Sequence, residues 1–289
     1  MRFRFGFLLL AVLLISACAT SPTGRRQLML VSEERAISAS REAYLSQMTE
    51  LSKEGKLSSD PKLIARVDEI TGRLVTQAIK MRPDTGSWEW SVEVIDDPEM
   101  VNAWCMAGGR MAIYTGLIQK IDPTDDELAQ VMGHEISHAL ANHTAERMSV
   151  AMATTIGVIA AGVASDKPVA TMGAAAVAAK LAVELPNSRT SEAEADRIGI
   201  ELAAKAGYDP DAAVTLWQKM EAASGSGPPA FLSTHPSPDQ RQEKLAALAP
   251  QMRPYYEAAG ERPVYKLART DLGDTSGSAS GTRNAAQPR

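Results

Sequence analysis

Two cysteines, four histidines and an aromatic content of 5% leave this 289-residue sequence poor in three resources. With Cys18 and Cys105 alone there is no disulfide framework to hold the fold, so it must close on a hydrophobic core. Few aromatics beside abundant alanine favour close-packed helices over a β-sandwich. There is no long Lys/Arg cluster, and the net charge is −5, which argues against nucleic acid as a partner. Internal repeats are also missing. What remains is the composition of an ordinary globular protein, long enough for one sizeable core or at most two.

The N-terminus carries Arg2 and Arg4, then an apolar run from Phe5 to Ile15 that is too short to span a bilayer comfortably. It ends in Ile15-Ser-Ala-Cys18, which resembles the lipobox of bacterial lipoproteins. The resemblance implies that residues 1–17 are a signal peptide and that Cys18 is acylated and anchors the chain, at about 0.8 kcal/mol per buried CH₂. The alternative is an ordinary secretory signal cut near Ala17 or Ala19. Ala19, where an aspartate would indicate the inner membrane, favours the outer membrane of the bacterial envelope, on the periplasmic side. Loss of Arg2 and Arg4 takes the net charge from −5 to −7. Cys105, left without a partner, is expected in the core.

Residues 18–31 read as a polar linker and 32–267 as one domain. Ser32 opens a helical pattern to Leu51, and Asp60-Pro61 opens a second through Ile79. Trp88 to Ile95 alternates as a half-buried strand. Val101–Met106 and Arg110–Tyr114 follow around Gly108-Gly109, which predicts a small antiparallel sheet. Thr124 and Glu127 have capping-box spacing, and the helix they start is expected to run unbroken to Met148. An uncharged stretch follows Arg147, with a second alanine-rich segment to Leu185. It is read as a buried helical hairpin or a lid over a groove in preference to two membrane spans. Asp209-Pro210 starts a helix with Leu216, Trp217 and Met220 inward, and Ser237-Pro238 another to Ala249. Residues 268–289 are expected to be a disordered tail. The fold class is α+β, mainly helical.

Half of the histidines fall in Val131-Met-Gly-His-Glu-Ile-Ser-His138. On a helix four residues advance about 400°, so His134 and His138 stand one turn apart on one face and two imidazoles can grip one metal ion. Glu135 lies beside them, placed to take a proton from a metal-bound water. This is the zinc metallopeptidase signature. A catalytic zinc needs a third protein ligand and an open fourth position. Glu192 and Asp196, four apart at a helix start, supply the ligand and a carboxylate to orient an imidazole through its other nitrogen. His143 lies about 140° from His138 on a continuous helix, with no glycine at 141 to end that helix, so it is read as structural or solvated and not a ligand.

His134-Glu-x-x-His138 followed by Ser188-Arg189-x-x-Glu192-x-x-x-Asp196 resembles the zinc metallopeptidase family, of gluzincin type, that includes the HtpX membrane protease and the CAAX prenyl protease. The resemblance runs from about Trp88 to Leu248, through Asn102-Ala103, Gly108-Gly109, Tyr114-Thr-Gly116, His143-Thr-Ala-Glu-Arg-Met148 and Ser233-Thr-His235-Pro236. Ala107 departs from a common proline, which bears on the stiffness of that turn and not on the chemistry. The likeness is to the soluble, lipid-anchored branch. It implies a zincin-like domain with one Zn2+ held by His134, His138 and Glu192, and Glu135 as general base. Substrate would add to the strand Arg110, Met111, Ala112, Ile113 and Tyr114. The implied substrates are unfolded or misassembled cell-envelope proteins, with envelope assembly machinery as a possible partner. His235 is left with three roles: hydrogen-bonding the tetrahedral intermediate, filling the open zinc position in a latent state, or a plain surface turn. The competing function is a non-catalytic chaperone that holds clients in the same groove.

Overall fold

Two side-chain caps start the first long helices. Ser32 Oγ accepts the Arg35 N–H ahead of α1 (Glu33–Lys53). Asp60 Oδ1 accepts from Lys62 (2.9 Å) and Leu63 (3.3 Å) ahead of α2 (Pro61–Met81). Pro61 sits in the first turn of α2, where its missing N–H has no bond to lose. The structure, a computed structural model, describes residues 18–180, 183, 185–223, 230–235, 240–258 and 260–272. The expected signal peptide therefore lies outside the described residues, as do Ser237, Pro238 and residues 273–289.

Residues 18–31 are not a free linker. β1 (Cys18–Thr20) pairs antiparallel with β2 (Arg26–Leu28), and Gln27 and Ser21 are buried. At the other end, residues 268–272 are also built into the domain, against the expectation of a tail from 268. The Ala268 N–H reaches Trp90 O at 2.8 Å, and Thr270 Oγ1 lies 3.1 Å from the Tyr44 hydroxyl.

The sheet contains β3 (Ser91–Ile95), β4 (Ala103–Cys105) and β5 (Arg110–Tyr114) in the order β3-β5-β4. It is mixed and not wholly antiparallel, because β3 runs parallel to β5 while β4 runs antiparallel to it. The chain leaves β3 for the far edge and returns through Gly108 and Gly109, whose φ values of 87° and 84° suit the turn. That return inserts β5 between its neighbours. Trp90, Val92, Val94, Met111 and Ile113 join Leu74 of α2 in one core with Leu128, Met132 and Ile136 of the metal-motif helix. Each fully buried side chain of this size contributes about 1.5–3 kcal/mol.

α3 (Thr115–Ile121) leads to the motif helix α4 (Asp125–Leu140). The capping box forms as expected, with Glu127 N–H to Thr124 Oγ1 at 3.2 Å and Thr124 N–H to Glu127 Oε2 at 2.9 Å. The helix does not run on to Met148. It ends at Ala141, Asn142 takes a left-handed φ of 55°, and α5 (His143–Val163) starts in a new direction. Asparagine tolerates this conformation without glycine, which is the reason the expected continuous helix breaks.

α5 and α6 (Pro168–Ala179) form the expected hairpin, but it is not buried. Ala145, Ser149 and Val150 seat its base, while Ile156 (60% exposed), Val163 (84%) and Val169 (86%) face outward. By length and composition α5 alone among the described helices is long and apolar enough to cross a membrane. α7 (Leu185–Ala206), α8 (Ala212–Ala222), α9 (Ala230–Thr234) and α10 (Arg241–Glu257) complete the domain. α10 continues past Pro250 and Pro254, beyond the expected end at Ala249.

Candidate metal centre

The site depends on how closely α4 and α7 approach. A Cβ on Gly133 would lie 2.9 Å from Gly199 O, and one on Gly199 would lie 2.8 Å from His134 N. Two missing side chains thus let the backbones touch, which carries Glu192 and Asp196 of α7 to the face of α4 that bears the histidines.

His134, His138, Glu192 and His235 bring one ligand atom each within 4.8 Å of one another, all buried. His134 Nε2 is 3.1 Å from His138 Nε2 and 3.2 Å from Glu192 Oε2. His235, just after the short helix α9, puts Nδ1 3.3 Å from His134 Nε2 and 3.2 Å from Glu192 Oε2. Its Nε2 lies 3.3 Å from Glu135 Oε1, an oxygen that makes no hydrogen bond among the described residues. A surface-turn role for His235 is therefore set aside. Three imidazoles and one carboxylate form the nitrogen and oxygen set that zinc prefers, and the residues fit that ion.

The electrostatics favour a cation at this point. Burial opposes a charged His134, yet hydrogen bonds to the Asp196 and Glu192 carboxylates push it up to about 9. Burial, with His134 alongside, holds His138 well below its ordinary value and leaves it neutral. Against burial, the facing imidazoles hold the Glu192 carboxyl far below the usual range. Burial raises Glu135 above its ordinary value, a direction that makes a carboxylate a better proton acceptor.

Both α4 histidines of this cluster are gripped through their outer nitrogens. His134 Nδ1 is 3.0 Å from Asp196 Oδ1, the arrangement expected from the spacing. Arg241 NH2 donates to the same Asp196 oxygen at 2.5 Å, and its guanidinium lies 3.4 Å above the Trp217 ring centroid. His138 Nδ1 is 2.8 Å from His143 Nδ1, and His143 Nε2 is 3.1 Å from Glu194 Oε2. His143 stands outside the four-donor group, as expected, but it is fully buried and not solvated. Arg241 and Glu194 escaped sequence reasoning: Arg241 lies 45 positions beyond Asp196, and Glu194 points away from the Glu192 face. Spacing carried no signal for Arg241. For Glu194 the only one was its place between two assigned carboxylates.

One expected position moves. Arg110, Met111, Ala112, Ile113 and Tyr114 form the central strand, with both edges already paired, so their backbone cannot receive a further strand. The edge beside α4 is β4, where the pairing alternation turns the backbone groups of Ala103 and Cys105 outward. Cys105 is buried as expected, and burial, with Glu135 nearby, raises its thiol well above its ordinary value. Cys18, the expected lipidation site, is the first residue of β1.

Comparison with known proteins agrees with this geometry. The chain matches Peptidase family M48 over residues 40–249. It is 34% identical over 258 residues to the mitochondrial metalloendopeptidase OMA1 of Bos taurus, covering 84% of this chain and 48% of that protein. It is 31% identical over 227 residues to the beta-barrel assembly-enhancing protease of Escherichia coli (strain K12), covering 74% of this chain and 44% of that one. The chain thus spans about half the length of the curated relatives it matches.

Proposed function

The chain belongs to peptidase family M48, and we propose that it is a zinc metalloendopeptidase whose substrates are unfolded or misassembled proteins of a bacterial cell envelope. The observation that carries this reading is the edge strand β4 beside the metal helix, whose outer side pairs with no other strand among the described residues. An edge strand recognises extended backbone, which a folded protein hides and an unfolded one presents. The Escherichia coli relative, named for β-barrel assembly, supports an envelope setting, whereas the OMA1 relatives are mitochondrial. The leader ending at Cys18 favours the envelope, with the chain lipid-anchored, more consistent with the outer than the inner membrane, and envelope assembly machinery as a partner.

His134, His138 and Glu192 are the ligands in this reading. A zinc ion held there would supply the Lewis acidity the reaction needs, lowering the pKa of a water beside it and polarising the scissile carbonyl. Glu135 accepts the proton of the attacking water and delivers it to the leaving amine. Asp196 orients His134, with Arg241 fixing Asp196. His235 sits among the ligands with its other nitrogen at Glu135, which supports a latent arrangement from which His235 would withdraw when substrate enters. A chaperone reading draws on the same closed centre, which can hold an extended client without cutting it.

The test compares purified, zinc-loaded wild type with Glu135→Gln on unfolded casein and on a folded control, with and without chelator. Wild type should cleave the unfolded substrate alone and lose this with chelator, while Glu135→Gln keeps zinc and does not cleave. Cleavage by Glu135→Gln would overturn the assignment, and client binding without cleavage by wild type would favour the chaperone. Mass spectrometry of membrane fractions from wild type and Cys18→Ala tests the anchor.

A further inference from the structure

We propose that the segment just after Cys18, Ser21 to Arg25, is a working part of the metal centre. It holds Glu194, Glu194 holds His143, and His143 fixes the ring of the ligand His138. His143 and Glu194 are then positioning residues, and the N-terminal segment sets how firmly a metal ligand is held. The inference rests on the reading of His138 as a ligand.

The hydrogen bonds run in one consistent direction. For His138 to offer Nε2 to a metal, its proton must be on Nδ1, where it faces His143 Nδ1 at 2.8 Å. His143 must then accept there and carry its own proton on Nε2, which faces Glu194 Oε2 at 3.1 Å. Glu194 is the terminal acceptor, and three donors converge on it from the N-terminal segment. These are the hydroxyls of Ser21 and Thr23, and Arg25 Nε at 2.6 Å. Arg25 is itself braced by a two-pronged contact with Glu146 at 2.7 and 2.6 Å. Gln27 Nε2 ties Glu146 (2.8 Å) to Ala141 O (2.7 Å), at the end of the metal helix.

Glu194, His143 and His138 are buried and each has a partner, and Ser21 is buried with them, while Thr23 is exposed. A buried network satisfied to this degree holds one geometry, since any break leaves a charge or donor uncompensated. Partners on the outer nitrogen of a ligand histidine govern ring orientation and basicity. His143 reaches that nitrogen only because Asn142 turns the chain back on itself. Since Cys18 is three residues before Ser21, whatever holds the N-terminus also bears on the ligand.

Zinc affinity, read by competition with a fluorescent chelator on the full chain, tests this. Arg25→Gln, Glu194→Gln and His143→Leu should each weaken zinc binding by about 10- to 100-fold, and His143→Gln, which keeps an acceptor, should recover part of the loss. Arg25→Gln combined with His143→Leu should be no weaker than His143→Leu alone, because the chain is already cut. Cobalt-substituted protein should show shifted visible absorption in the same variants. A purely structural brace would instead lower the thermal midpoint of the metal-free protein and leave affinity unchanged, or give additive losses in the double variant. Either result overturns the inference. Thr23→Val, which removes a single donor, carries the same test with a smaller change should Arg25→Gln fail to fold. Wild type that takes up no zinc would overturn the metal centre itself, whereas wild type that binds zinc no better than Arg25→Gln would overturn only the N-terminal connection.

Discussion

Gly133 and Gly199 meet backbone to backbone, with a Cβ on Gly133 destined to lie 2.9 Å from Gly199 O. The distance between the two histidines of α4 and the carboxylates of α7 is therefore set by two side chains that are not there. Gly199→Ala should push the helices apart, destabilise the fold by about 1–3 kcal/mol and weaken zinc binding as well. Urea denaturation with a zinc titration checks both effects, and a stability loss at unchanged affinity would show that the centre tolerates the shift.

In the proposed reading His235 occupies the space that substrate and water need. His235→Ala should raise casein hydrolysis several-fold while weakening the metal-binding site, since one of four converging donors is lost. A fall in turnover at saturating substrate would instead assign His235 to the reaction intermediate.

Extended substrates should be read by β4. Cys105→Pro removes an outward N–H at an edge position, so KM for an unfolded peptide should rise beyond that of Cys105→Ala, which loses the same buried thiol but keeps the N–H. A change in kcat with KM unmoved would remove β4 from the binding surface.

Glu127 links the metal helix to pH. Against burial, hydrogen bonds from Lys219, the Thr124 N–H and Thr215 hold its carboxyl below the ordinary 4.5. A carboxyl depressed on folding stabilises above its unfolded pKa and loses that contribution as pH falls through the folded one. Metal-free wild type should thus lose stability below about pH 4.5, and Glu127→Gln should flatten that slope. It should also lose about 1 kcal/mol at neutral pH with its share of the capping box. Thermal melts across the acid range decide this.

The candidate site was legible because helical spacing encodes it, with His134, Glu135 and His138 on one turn and Glu192 and Asp196 on another, and the same spacing marked the cap at Thr124 and Glu127. What spacing does not encode is contact between segments distant in the chain. The parallel pairing of β3 with β5 made the expected substrate strand an interior one and left β4 as the edge. Asn142 adopted a conformation looked for only in glycine, which turned His143 from a bystander into a neighbour of His138. The hairpin α5–α6 had the composition of a core but found no partner layer among the described residues. Arg241 lies too far along the chain from Asp196 for any local pattern to connect them.

The nearness of Trp217 to His134 has an optical consequence. The Trp217 ring centroid is 6.2 Å from that of His134, whose ring the Asp196 and Glu192 carboxylates favour in its protonated form. A protonated imidazole quenches indole emission, and metal binding would strip that proton away. Trp217 is one of four tryptophans, so Trp217→Phe isolates its signal, and ultraviolet emission should brighten as zinc is added to wild type but not to the variant. The protein thereby carries its own gauge of occupancy, readable without a dye or a substrate.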